Sequence, residues 1–224
     1  MQSIHTIKIL GYLGILGAIL VGMGEYLLHY SPQILGNADD YEFFRYVSLS
    51  NLSRGHFLAV SGIPFYFAGY LHLYFMLKSG SENWARAVLL LGFIAFAVGG
   101  VWIGSRVSIG QIVHLKSSIA PITYTQLLSH YTAHVEILVQ VLRVVITALS
   151  ICFCVAILKG GTYYAKWMAI FSPIVILIGL VIIGNILPLV GQHVLPILMN
   201  FTHFILFTLS LYQLNHFLKP LHHA

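Results

Sequence analysis

Apolar positions in this chain run in long unbroken stretches instead of alternating with polar ones. Six stretches stand out, at roughly 7–29, 53–78, 86–107, 133–158, 166–190 and 194–217. At about 1.5 Å per residue, each is long enough to cross about 30 Å of hydrocarbon as a helix. Lipid offers the backbone no hydrogen-bond partners, so helices that satisfy themselves are the natural solution. The pattern predicts an all-α fold: a polytopic membrane bundle of six transmembrane helices, forming one integral domain over residues 1–224. The first run follows Lys8 but continues to Tyr30 without a small-residue cleavage site, and is predicted to remain as a span.

Small residues mark where helices should meet, because lipid supplies no hydrophobic drive between them and backbones must approach closely. Gly14, Ala18 and Gly22 recur every four residues in the first run, and the same stripe continues to Glu25 and His29. That carboxylate is therefore predicted to face the bundle. Gly100 and Gly104 repeat the device in the third run. Pro64, Pro173 and Pro188 are placed to kink or end the second and fifth spans. Cys152 and Cys154 fall on nearly opposite helix faces, which predicts two reduced thiols.

Composition agrees with the pattern: 58% of residues are hydrophobic and 8% charged. The net charge of +5 is spread singly over loops and helix ends. It lacks the clusters that track phosphates, so nucleic acid is excluded as a partner and membrane lipid is the expected one. Lys8, Lys78, Arg86, Lys159, Lys166 and Lys219 fall on one side of the predicted bundle, and Arg45, Arg54, Arg106 and Lys116 on the other. The richer side is taken as cytoplasmic, giving an N-in, C-in orientation. The two longest connections, about 30–52 and 108–132, are then outside.

Polar residues gather on that outer side. Glu25 and His29 close the first span, Asp39, Asp40 and Glu42 follow it, and Arg54 and His56 open the second. His114 lies in the second outer loop, His130, His134 and Glu136 open the fourth span, and His193 lies between the last two. Ionisable groups at membrane depth are costly, so a proton, cation or metal site is the inference. His130 and His134 stand four apart in SHYTAHVE, on one helix face and close enough to share a metal ion. A zinc site would need a further ligand, from His56, His193 or a carboxylate. Glu136, Gln140 and Arg143 form a second polar stripe on the same helix. With Asn185, they are read as an intramembrane polar network tying helices together or, in a transporter, lining a pathway. A third arrangement pairs His56 and His72 with His203 and His216, as a bundle holding two b-type haems would.

Two resemblances follow from these residues. GYLGILGAILVGMGEYLLHY, followed by SNLSRGHFLAVSGIPFYFAGY, resembles an uncharacterised bacterial family of six-span membrane proteins; it covers the whole chain, implies no activity, and suggests a bacterial cytoplasmic membrane. The pair Ser53 and His56, with His130 and His134, is similar to the zinc site of the alkaline ceramidase and progestin-adipoQ receptor superfamily. That similarity implies a zinc-dependent hydrolase of lipid amides or esters. His56, His130, His134 and His193 would hold the metal, and Glu25 or Asp39 would take a proton from its bound water. No nucleotide, nicotinamide or serine-nucleophile motif is present. The sequence is therefore compatible with a zinc hydrolase, a transporter or binding protein for a lipid or small molecule, and a haem-carrying bundle.

Overall fold

The computed structural model describes residues 3–31 and 41–218. Its helices in chain order are α1 (Ile4–His29), α2 (Leu49–Leu77), α3 (Glu82–His114), α4 (Pro121–Lys159), α5 (Pro173–Ile186), α6 (Pro188–Val194) and α7 (Leu198–Leu218). Short 3-10 turns occur at Glu42–Tyr46, Lys166–Phe171 and Leu195–Ile197, and no strand is present among the described residues. Local signals account for the ends. Ser3 and Ser48 cap α1 and α2 by accepting from the amides of Thr6 and Asn51. Proline occupies the first turn of α4, α5 and α6, where its missing N–H costs nothing. Gly160, at φ 83°, ends α4 in a conformation that other side chains rarely adopt.

Five helices are long and apolar enough to cross a membrane among the described residues. The expected fifth span is built differently. Pro173 and Pro188 divide it, leaving α5 with 14 residues, or about 21 Å. The 3-10 stretch before it climbs beside α4, where the Cys154 thiol donates to the Ala169 carbonyl at 3.2 Å and the Ile174 amide to Ser150 Oγ at 3.0 Å. The stretch and α5 together cover about 33 Å. Beyond α5 the chain turns sharply at Leu187, and α6 folds back so closely that a Cβ on Gly191 would lie 2.1 Å from the Gly184 carbonyl.

The expected outer loop at 108–132 is mostly helix. The third and fourth runs continue past their apolar ends into α3 and α4, which have 33 and 39 residues, and only 115–120 connects them. Hydropathy misses this extension because polar residues interrupt its apolar ones. Its helical form is supported by packing, since a Cβ on Gly110 would meet Leu52 at 2.8 Å and Phe44 at 3.2 Å. His114 Nε2 also donates to the Val47 carbonyl at 2.8 Å.

The closest helix pair is α1 with α2. Gly14 faces Gly69, and Gly24 faces Gly55 and Ala59, at distances that leave no room for a Cβ. Gly22 turns instead toward Asn200 on α7, so the small-residue stripe serves two neighbours. Glu25 and His29 at its end are both buried. Buried hydrogen bonds tie α2 to α7: Tyr70 Oη donates to His203 Nε2 at 2.7 Å, and Ser210 Oγ to His72 Nε2 at 2.6 Å. The opposite ring nitrogens donate to carbonyls, His203 to Met199 and His72 to Ile7, both at 2.8 Å.

Candidate functional site

A chamber of about 340 Å³ opens inside the bundle, in the gap between α4 and α7. Its walls come from Val21 and Glu25 of α1, Ile63 of α2, Ala95 to Ile103 of α3, Val139 to Ile146 of α4, Ile174 and Leu177 of α5, and the chain from Leu195 to Asn200. Trp102 apart, its polar side chains are Glu25, Arg143 and Asn200. The other walls are apolar because the same residues that pack helices together here line the space between them.

Glu25 is fixed from behind. Asn200 Nδ2 donates to its Oε2 at 2.6 Å, and Tyr66 Oη donates to Asn200 Oδ1 at 2.7 Å. All three groups are buried, and the tyrosine sets which way the amide points. Glu25 Oε1 takes no hydrogen bond among the described residues, and the carboxyl lies in the chamber wall.

Toward the His29 end of the bundle, a second space of about 260 Å³ is lined by His29, Tyr41, Arg106 and Glu136. Trp102, Val139, Leu195 and Pro196 line both spaces, so the two adjoin. Arg106 is held tightly in this vestibule. Its Nε donates to His29 Nε2 at 3.1 Å, and its guanidinium lies 5.0 to 5.6 Å from the ring centres of Tyr41, Phe43, Phe44 and Trp102. It also acts electrostatically on Glu25; the ion pairs among the described residues lie elsewhere, at Glu42 and Glu82. Tyr41 Oη donates to Glu136 Oε1 at 3.3 Å across the vestibule. Burial among these groups raises the Tyr41 phenol above its ordinary value.

His130 and His134 share one helix as expected, but no third expected ligand joins them among the described residues. His130 and His134 are exposed on the extended part of α4. His193 is hydrogen-bonded through Nδ1 to Tyr26 Oη at 2.7 Å, and His56 packs its ring against Phe57. Among the described residues, no three His, Cys, Asp or Glu side chains form a group that could hold a metal ion. Among the described residues, then, the expected zinc ligands do not assemble into a site. Asp39 and Asp40 lie outside the described residues. The paired haem ligands fit no better, since both ring nitrogens of His72 and of His203 are already bonded within the protein. His216 is exposed and stacks on Tyr212. The two cysteines are free and half-buried.

The polar stripe of α4 divides between the two spaces. Glu136 lines the vestibule and Arg143 the chamber, while Gln140 is exposed. Asn185 is also exposed and donates to the Val181 carbonyl of its own helix at 2.8 Å. The residues that most shape the site, Arg106, Asn200, Tyr66 and Trp102, drew no such attention in the sequence. A usable signal was present: Arg106 ends the third apolar run on the same predicted side of the bundle as Glu25 and His29, and Asn200 is the one amide in the first half of the last run.

The fold and these two spaces define a helical membrane bundle with an internal polar-ended chamber. The chain belongs to a family of unknown function, DUF6796, whose model matches residues 1–216. No curated protein and no solved structure matches it.

Proposed function

We propose that this protein binds a small amphiphilic molecule within the bilayer. The observation that carries the reading is the joining of an apolar chamber to a polar vestibule through shared walls. Binding sites for small molecules have this form, mostly apolar with a few placed polar groups. The apolar body of the ligand would fill the chamber between α3, α4 and α7, and polar groups would meet Glu25 and the vestibule. With the orientation predicted from Lys and Arg placement, the vestibule opens on the non-cytoplasmic side.

Filling the chamber tests the proposal. A Cβ on Gly99 would meet no atom within 4 Å, so Gly99→Leu adds volume in the chamber wall at little cost to packing. Val139 lines both spaces, so Val139→Phe adds bulk to each. Each variant, purified in mild detergent, should lose co-purifying amphiphile by native mass spectrometry while unfolding at the wild-type temperature. Unchanged bound material in both variants would sink the reading.

A further inference from the structure

Resting on that reading, we infer that Glu25 Oε1 is the recognition atom of the chamber and that the ligand it takes is an uncharged amphiphile bearing a hydroxyl group. Three features lead to it. The carboxyl is oriented in advance, because the Tyr66 hydroxyl fixes the Asn200 amide, which in turn holds Oε2. A relay of two buried groups behind one oxygen leaves the other, Oε1, without a partner among the described residues, in a wall made mostly of Ile63, Phe96, Leu177 and similar side chains, with Arg143 the other ionisable group. An acceptor placed in apolar surroundings gains most from a donor supplied by the ligand, and discriminates against ligands that lack one.

Charge selects between donors. Arg143 lies in the chamber wall with Glu25, and Arg106 stands in the adjoining vestibule, held by His29 and boxed by aromatic rings. An ammonium would add positive charge to a site already flanked by two guanidiniums, and an ionised carboxylate has no proton to donate to Oε1. A hydroxyl donates to Oε1 and adds no charge.

The test uses wild-type protein in phosphatidylcholine nanodiscs, with tritiated 1-dodecanol as the probe and empty nanodiscs as background. Unlabelled 1-dodecanol, dodecyl methyl ether, laurate and dodecylamine compete for it. The inference expects the alcohol to displace the probe about tenfold better than the ether, the loss expected when a buried polar group is left without its partner. Laurate and dodecylamine should also be weaker. Glu25→Gln keeps the Asn200 contact through its amide oxygen and turns an N–H donor toward the chamber, so the preference for alcohol over ether should collapse. If that variant does not fold, the wild-type order decides alone. Equal displacement by ether and alcohol overturns the inference, as does strongest displacement by the amine or by laurate. In those cases binding that Gly99→Leu still abolishes leaves the amphiphile reading standing. No probe bound above background, or binding untouched by Gly99→Leu, overturns both.

Discussion

Individual side chains make sharp commitments at both ends of the site. Asn200→Ala would strip Glu25 of its amide and leave the Tyr66 hydroxyl unpaired in the bundle. A loss of about 1 to 2 kcal/mol is expected, in line with hydrogen bonds between membrane helices. Reversible unfolding in mixed micelles measures it, and Tyr66→Phe should cost less because it breaks one of the two bonds and strands only Asn200 Oδ1. Outside the spans, Lys116 donates to Glu42, and Arg45 lies 3.7 Å from the same carboxylate. The hydrogen bond from Lys116 holds the Glu42 carboxyl below its ordinary value of 4.5. The same bond raises the Lys116 ammonium above 10.5. A depressed carboxyl stabilises the fold above its unfolded value, and that contribution is lost as pH falls through the folded one. The ammonium's share is full below its unfolded value and lost as pH rises through its raised folded one. Glu42→Gln should therefore lower the melting temperature slightly at neutral pH and match wild type in acid. An equal deficit at both pH values would show that the pair contributes nothing.

At the scale of elements, glycines separate contacts that cannot change from those that can. A Cβ on Gly14 would lie 2.6 Å from the Gly69 backbone, whereas one on Gly99 meets open space. Gly14→Leu should thus sharply reduce folded protein in membranes, measured by fluorescence-detected size exclusion, where Gly99→Leu leaves the yield near wild type. The stripe of Gly14, Ala18 and Gly22 was legible because its period is that of a helix, and it correctly turned Glu25 inward. The composite fifth span was not. Its apolar run is continuous in sequence, and only Pro173 and Pro188, with the Gly184 and Gly191 contact, divide it into a 3-10 stretch and two short helices. The helical extension of α3 and α4 was hidden for the opposite reason, since hydropathy registers the lipid and not the helix. If it stands clear of the bilayer, hydrogen exchange in nanodiscs should show amides near 108–132 exchanging faster than those of 141–158. Equal protection would place the extension within the membrane.

For the whole molecule, the question is which polar groups meet. Histidines drew the eye in the sequence, yet the bundle uses most of them singly: His72 and His203 bolt α2 to α7, His29 accepts from Arg106, and His130 and His134 remain exposed. Helical periodicity places residues on a face of one helix but says nothing about which faces of different helices oppose each other. Glu25 and Asn200 are 175 positions apart and meet only through the packing of α1 on α7. The sequence by itself determined an all-helical membrane bundle, its first four long helices and the inward turn of Glu25, because hydropathy and periodicity are local properties. Tertiary structure alone decided the chamber, the relay from Tyr66 through Asn200 to Glu25 and the boxed Arg106, because a cavity exists only where helices distant in the chain fail to close upon one another.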